Sequence, residues 1–162
     1  MFCERPVQAL RNVRRALLPG GTLCIVVWRK RDDSPWIRVA QQVVEGIVPM
    51  VEPTHAVTCG PGPFSMASAD LVSDLLLKAG YKHSTFERFD APICIGRTLD
   101  EAIEFALELG PAGETARLAG EEGIHVRPEV VRRLREALRP FAADKRVVAP
   151  SSVWIVTAVA GR

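Results

Sequence analysis

The spacing of apolar and polar positions changes several times along this chain. From residue 5 to 18, Val7, Leu10, Val13 and Leu17 recur at helical spacing, with Arg11, Arg14 and Arg15 between them. Pro6 suits the first helical turn, where its missing N–H costs nothing. Pro19-Gly20-Gly21 stops that helix and turns the chain. TLCIVVW (22–28) is then a continuous apolar run rich in β-branched residues. Such a run predicts a strand covered on both faces, as in a parallel sheet. RKRDDS (29–34) is a polar exit. Ser34 as cap and Pro35 as first residue open a second helix, whose buried stripe is Ile37, Ala40, Val44 and Ile47.

Residues 48–67 break the periodicity. Pro49, Pro53, Pro61 and Pro63 alternate with Gly60 and Gly62, which predicts a long, lid-like irregular loop. Ser68 caps a helix to Ala79, with Leu71, Leu75 and Leu76 inward and Gly80 as its stop. KHSTFERFDAPICIG (82–96) holds one bent strand or two. Thr98 to Glu101 matches a capping box for a helix through Leu109, ended by Gly110. Residues 111–122 predict a short helix. Pro128–Leu138 predicts another, with Val131, Leu134 and Leu138 on one face. SSVWIVTAVA (151–160) is the final strand. Two or three strands make a poor sheet, so these read as one half of an open α/β sheet.

Composition bounds the alternatives. At 162 residues, 48% hydrophobic and 25% charged, the chain suits a single domain with a real core, not a disordered polymer. A net charge of +2 is too small to argue for nucleic acid. The basic residues do cluster, at Arg11, Arg14, Arg15, Arg29, Lys30 and Arg31, and at Arg127, Arg132, Arg133, Arg135 and Arg139. They read as solvated helix faces and strand ends rather than a phosphate-binding patch.

Cys3, Cys24, Cys59 and Cys94 are far apart, and His55, His83 and His125 lack metal-ligand spacing. The sequence thus implies no disulfide framework, no metal site and a reducing, cytoplasmic setting. No run approaches the ~18 apolar residues of a membrane span. The N-terminal residues have no signal-peptide pattern.

Several of these segments, taken in order, resemble a known family. MFCERPVQALRNVRRALLPGGTLCIVVWR is similar to the segment after the fourth strand of class I S-adenosylmethionine-dependent methyltransferases. There a helix leads through an R-x-L-x-P-G-G turn, here Arg15, Leu17, Pro19, Gly20 and Gly21, into the fifth strand. SPW (34–36) resembles the opening of the next helix. GPFSMASADLVSDLLLKAGY resembles the connection that closes over substrate and enters the sixth strand by way of L-x-x-A-G-[FY]. SSVWIVTAVA resembles the seventh, antiparallel strand. The nearest type is the small-molecule enzymes of ubiquinone and menaquinone biosynthesis.

The resemblance implies a partial Rossmann-like α/β sheet. Its final strand is antiparallel, and a helical insertion at 99–140 lies within one domain, 1–162. It also implies S-adenosylmethionine as cofactor. The family's D-x-G-x-G-like loop and its ribose-binding acid are absent from this sequence, however. The match is to the family's C-terminal half, so the expectation is an incomplete methyltransferase that binds the cofactor poorly on its own. Met1 and Phe2 would sit beside the cofactor pocket.

Ligands of open α/β sheets lie beyond the carboxyl ends of the parallel strands. That places Trp28 and Arg29, with Trp36 and the loop residue Phe64, as candidates to line an apolar acceptor pocket for a small hydrophobic molecule. The alternative is that Trp28 and Trp36 simply pack under the loop. His55, in the loop, is a candidate base by residue type. Asp32-Asp33 reads as a solvated, capping turn, and Trp154 as core. Whether the chain is an enzyme stays open. The other reading is a non-catalytic binding or oligomerisation module derived from a methyltransferase. An unpaired sheet edge predicts a homo-oligomer, or completion by a missing N-terminal half.

Overall fold

Three strands set the frame. The computed structural model describes residues 1–48, 62–109, 112–113 and 120–161. Strand β1 (Thr22–Trp28) pairs antiparallel along its whole length with β4 (Arg146–Ala160), from Thr22 opposite Val159 to Trp28 opposite Val153. Strand β2 (Tyr81–Gly96) lies on the other side of β4. Side-chain hydrogen bonds join Thr85 to Thr157 and Asp90 to Ser152. Numbers rise on one strand as they fall on the other, so this pair is antiparallel too. The last strand therefore inserts between two earlier ones and runs against both, which is the antiparallel final strand expected. A two-residue strand, β3 (Ala142–Ala143), folds back onto β4 through Asp144 and Lys145, both with left-handed backbone.

The chain divides into two compact units. Of the described residues, the first holds 1–30, 62–90 and Ser152 onward, and the second holds 31–48 and those from Ala91 to Ser151. Strands β2 and β4 are each shared between them.

In the first unit, helices α1 (Pro6–Ala16) and α3 (Ala69–Ala79) pack together. Leu10 of α1 and Val72 and Leu76 of α3 share a core with Leu23, Val27, Val156 and Ala158 of the sheet. The apolar run 22–28 predicts burial on both faces, and here the structure differs. Leu23 and Val27 are buried, whereas Cys24 and Val26 are exposed, Val26 by 57%. Strand side chains alternate between faces, and among the described residues the shared core gathers only one face of β1.

Helix α3 is capped as its sequence predicts. The Ser68 hydroxyl accepts from the Leu71 N–H at 3.4 Å, and Gly80 ends the helix at φ +91°. Arg11 donates to the Lys78 carbonyl at the helix's negative end, and Arg14 to the Gly161 carbonyl. Tyr81 is buried, with its hydroxyl donating to the Leu10 carbonyl at 3.2 Å; burial pushes its phenol pKa up.

The second unit is mainly helical: α2 (Pro35–Glu45), α4 (Leu99–Leu109) and α5 (Gly120–Leu138). Helix α5 packs on both others and buries Val130, Leu134 and Leu138. The sequence predicts that this helix starts at Pro128. Instead one helix runs through that proline. Proline forfeits one backbone hydrogen bond and crowds the preceding turn, and the helix persists because its apolar stripe is buried downstream.

Ser34, predicted as the cap of α2, makes no side-chain cap bond and is fully buried. Its carbonyl instead accepts from the Ile37 and Arg38 N–H groups. The predicted capping box of α4 forms with one change. Thr98 accepts from the Glu101 N–H, while the Glu101 carboxylate reaches back to the N–H of Arg97 rather than Thr98.

The predicted segment 82–96 is one strand, not two, and β4 starts five residues ahead of the predicted Ser151. On α5 the arginines are matched locally. Arg127 pairs with Glu104, Arg132 with Glu129 and Glu136, Arg133 with Glu129, and Arg135 with Asp100. Hydrogen bonds from Arg132 and then Arg133 hold the Glu129 carboxyl down to about 2. No described helix is long and apolar enough to cross a membrane.

Candidate functional site

The carboxyl end of β1 gathers aromatic and charged side chains within the first unit. Trp28 ends the strand, and its ring lies 6.3 Å from that of Phe64, tilted by 49°. Arg29 follows and places its guanidinium 4.3 Å from the centre of the Trp154 ring. That distance is a cation–π contact. Phe86 meets the same indole edge-on at 6.1 Å. The Trp154 Nε1–H donates to the Ala67 carbonyl at 3.1 Å, which fixes the ring.

Residues 62–67 tie this cluster together. Phe64 lies tilted against Trp28, Ala67 anchors Trp154, and the segment is pinned to the chain's first residue. The Met1 carbonyl accepts from the Gly62 N–H at 3.1 Å and from the Ser65 hydroxyl at 2.8 Å. Beside it is a cavity of about 170 Å³ lined by Met1, Cys3, Pro6, Ser65, Met66, Leu71 and Leu75. Its wall is apolar, with two thioethers that adapt readily to a guest.

A polar group lies across the strands from Arg29. The Arg29 N–H donates to the Ser152 carbonyl, and the Ser152 hydroxyl donates to Asp90. Arg88 donates to the same carboxylate. The Ser152 hydrogen bond first, then Arg88 and Arg29, hold the Asp90 carboxyl below its ordinary range. This corner therefore presents aromatic faces flanked by fixed positive and negative charge. Such a surface can seat a flat apolar molecule and orient a polar substituent on it.

Of the four predicted acceptor residues, the structure sets Trp28 against Phe64, while Arg29 packs on Trp154. Trp36 belongs to the second unit and is 3% exposed there. Its ring packs on Phe105 at 5.5 Å and its Nε1–H donates to the Ser151 hydroxyl at 3.0 Å. Met1 lines the cavity, and Phe2 is 70% exposed. His55 lies outside the described residues, as does most of the predicted lid-like loop.

Trp154, read from sequence as core, does pack against the first unit's core and also carries Arg29 on its ring. Asp90 and Ser152, which bond each other beside it, are 62 positions apart. No spacing rule joins them. Only the strand order does, by placing β4 between β1 and β2.

The described residues that line this cavity do not fit S-adenosylmethionine. A nucleoside of that size needs a pocket nearer ~300 Å³ or more, with an acid for its ribose hydroxyls. The described cavity is about 170 Å³, and no carboxylate lines it.

No protein-family model matches this chain, and no curated protein matches it. Among solved structures, one described as a "putative methyltransferase" from Bacillus halodurans C-125 aligns with 99% of the chain at 12% identity and a TM-score of 0.42. The chain spans 62% of that protein's length.

Proposed function

We propose that this chain is the acceptor-binding part of a methyltransferase-like protein. It holds a small hydrophobic, aromatic molecule at the carboxyl end of β1 and contributes no cradle for S-adenosylmethionine. The observations that carry this reading are two contacts at the end of β1, Trp28 against Phe64 and Arg29 over Trp154. Both lie at the carboxyl end of β1. The ordered resemblance of the Pro19-Gly20-Gly21 turn, the Ser34-Pro35-Trp36 opening and the antiparallel last strand supports the methyltransferase character. Within the site, Trp28 and Phe64 are the stacking faces and Arg29 orients a polar substituent. Trp36 supports the second unit from within, and Met1 closes the neighbouring cavity.

A panel of small aromatic ligands titrated against intrinsic tryptophan fluorescence tests this. Saturable binding is expected, weakened about tenfold or more by Trp28→Ala, as befits the loss of an aromatic anchor. Tyrosine in place of Phe64 should retain binding. Ligands that fail to saturate, or that bind wild type and Trp28→Ala alike, would remove the cluster as the acceptor site.

A further inference from the structure

We propose that the end of the first unit where β1 and β2 begin is a docking surface for an anionic phospholipid bilayer, on which the chain lies without crossing it. This goes beyond the acceptor reading and does not depend on it, since the candidate acceptor residues stand at the other end of β1.

Backbone hydrogen bonds gather several connections at this end. The Gly20 N–H donates to the Ala160 carbonyl, the Gly21 N–H to the Leu18 carbonyl and the Gly161 N–H to the Gly80 carbonyl. Side chains follow. Arg11 donates to the Lys78 carbonyl and Arg14 to the Gly161 carbonyl. Lys82 reaches the same place, because a β-carbon at Gly161 would meet its Cε at 3.5 Å. Arg11, Arg15, Lys78 and Lys82 are exposed. So are two leucines, Leu18 by 81% and Leu77 by 62%.

Positive charge goes uncancelled here. No acidic residue occurs from Arg5 to Arg31, from Leu75 to Phe86, or after Asp144. Asp74, one turn further back in α3, pairs with Lys78 at 2.6 Å. Among the described residues, Arg11, Arg15 and Lys82 have no carboxylate partner. Helix α5 is the contrast, with Arg127, Arg132, Arg133 and Arg135 each matched to a carboxylate. Lysine and arginine are almost never fully buried unless paired. Unmatched cations therefore mark a face kept in water, not a seam left for another segment of chain.

The cations call for an anionic partner, and the leucines select its kind. Leu18 stands on the turn that follows Arg14 and Arg15, and Leu77 precedes Lys78 on the last turn of α3. An anionic bilayer meets both features. Its headgroup phosphates face the cations, and the leucines enter the boundary between headgroups and acyl chains. Single-stranded nucleic acid is held by aromatic faces on which bases stack. The aromatic residue at this end, Tyr81, is buried.

Flotation of the whole chain with lipid vesicles tests this. Vesicles of phosphatidylcholine and phosphatidylglycerol in equal parts should carry the chain upward, and vesicles of phosphatidylcholine alone should not. Salt near about 1 M, where screening acts within ~3 Å, should release it. Arg15→Gln and Lys82→Gln should each weaken binding about fivefold, as the loss of one cation near an anionic surface implies. Leu18→Ser, which leaves the charge unchanged, should weaken it about tenfold. Arg133→Gln on α5 should bind as wild type does. Far-UV circular dichroism of the Leu18 and Lys82 variants should match wild type, since both side chains are exposed. A chain that stays at the bottom with anionic vesicles would overturn the proposal. So would equal flotation with neutral vesicles. Binding that Leu18→Ser leaves intact, and that heparin matches, would overturn it in favour of a soluble polyanion.

Discussion

Replacing Trp36 with alanine is expected to cost the second unit about 3–5 kcal/mol, the range for emptying a large aromatic site in a core. The indole is almost wholly enclosed, packs on Phe105 and donates to Ser151. Truncation removes the ring contact and leaves a void at the first turn of α2, where the chain enters the helical unit. Phenylalanine separates the two contributions. It keeps most of the apolar volume but strips the buried Ser151 hydroxyl of its donor, for which about 1–3 kcal/mol is expected. Urea unfolding checks both, with a lower midpoint at unchanged slope as the mark of lost stability rather than altered compactness. Ligand binding distinguishes Trp36 from Trp28. Trp36→Phe should leave aromatic-ligand affinity as it is, because its contacts lie in the second unit.

A large effect is also expected at Gly96, where β2 ends and the chain turns into α4. A β-carbon there would lie 2.5 Å from the Ala102 backbone nitrogen and 2.8 Å from the Thr98 carbonyl oxygen. Both are main-chain atoms of the first turn of α4, so no side chain can swing aside to make room. Gly96→Ala should therefore cost about 3 kcal/mol, the upper end for overpacking, because the helix start itself must shift. It should also disturb the Thr98–Glu101 capping bonds. Gly62 is the contrast. A β-carbon there meets nothing within 4 Å, and the backbone needs no positive φ. Gly62→Ala is expected to stay within about 0.5 kcal/mol of wild type. Thermal unfolding of the two variants side by side reads the difference.

What the sequence made legible was local. The Ser68 cap and Gly80 stop of α3, the Thr98 capping box and the Pro19-Gly20-Gly21 turn all rest on contacts within a few residues. They form close to where they are predicted. The antiparallel last strand came from resemblance, not periodicity, and it too is present.

The misreadings share one cause. An apolar run such as 22–28 fixes a strand but not what lies over each face, so the exposed Cys24 and Val26 were not visible in it. Pro128 reads as a helix start because that is the cheapest place for a proline. Only the tertiary burial of Leu134 and Leu138 shows why the helix continues through it. For the candidate site, Trp28 and Arg29 are named by the rule about strand ends, and Phe64 by its place in the Pro/Gly segment. Trp154, Asp90 and Ser152 depend on β4 lying between the other strands, a fact of topology that spacing along the chain does not carry.

The central claim is an acceptor side without a donor side. Calorimetric titration of the purified chain with S-adenosylhomocysteine, its oligomeric state recorded in the same buffer, tests that most directly. The lack of a D-x-G-x-G-like loop and of a ribose-binding acid in this sequence predicts no measurable binding, a dissociation constant weaker than about 1 mM, or less than about 4 kcal/mol of affinity. Stoichiometric binding in the micromolar range would contradict the account. It would mean that these residues build a nucleoside site by contacts other than a glycine loop and a ribose-binding acid.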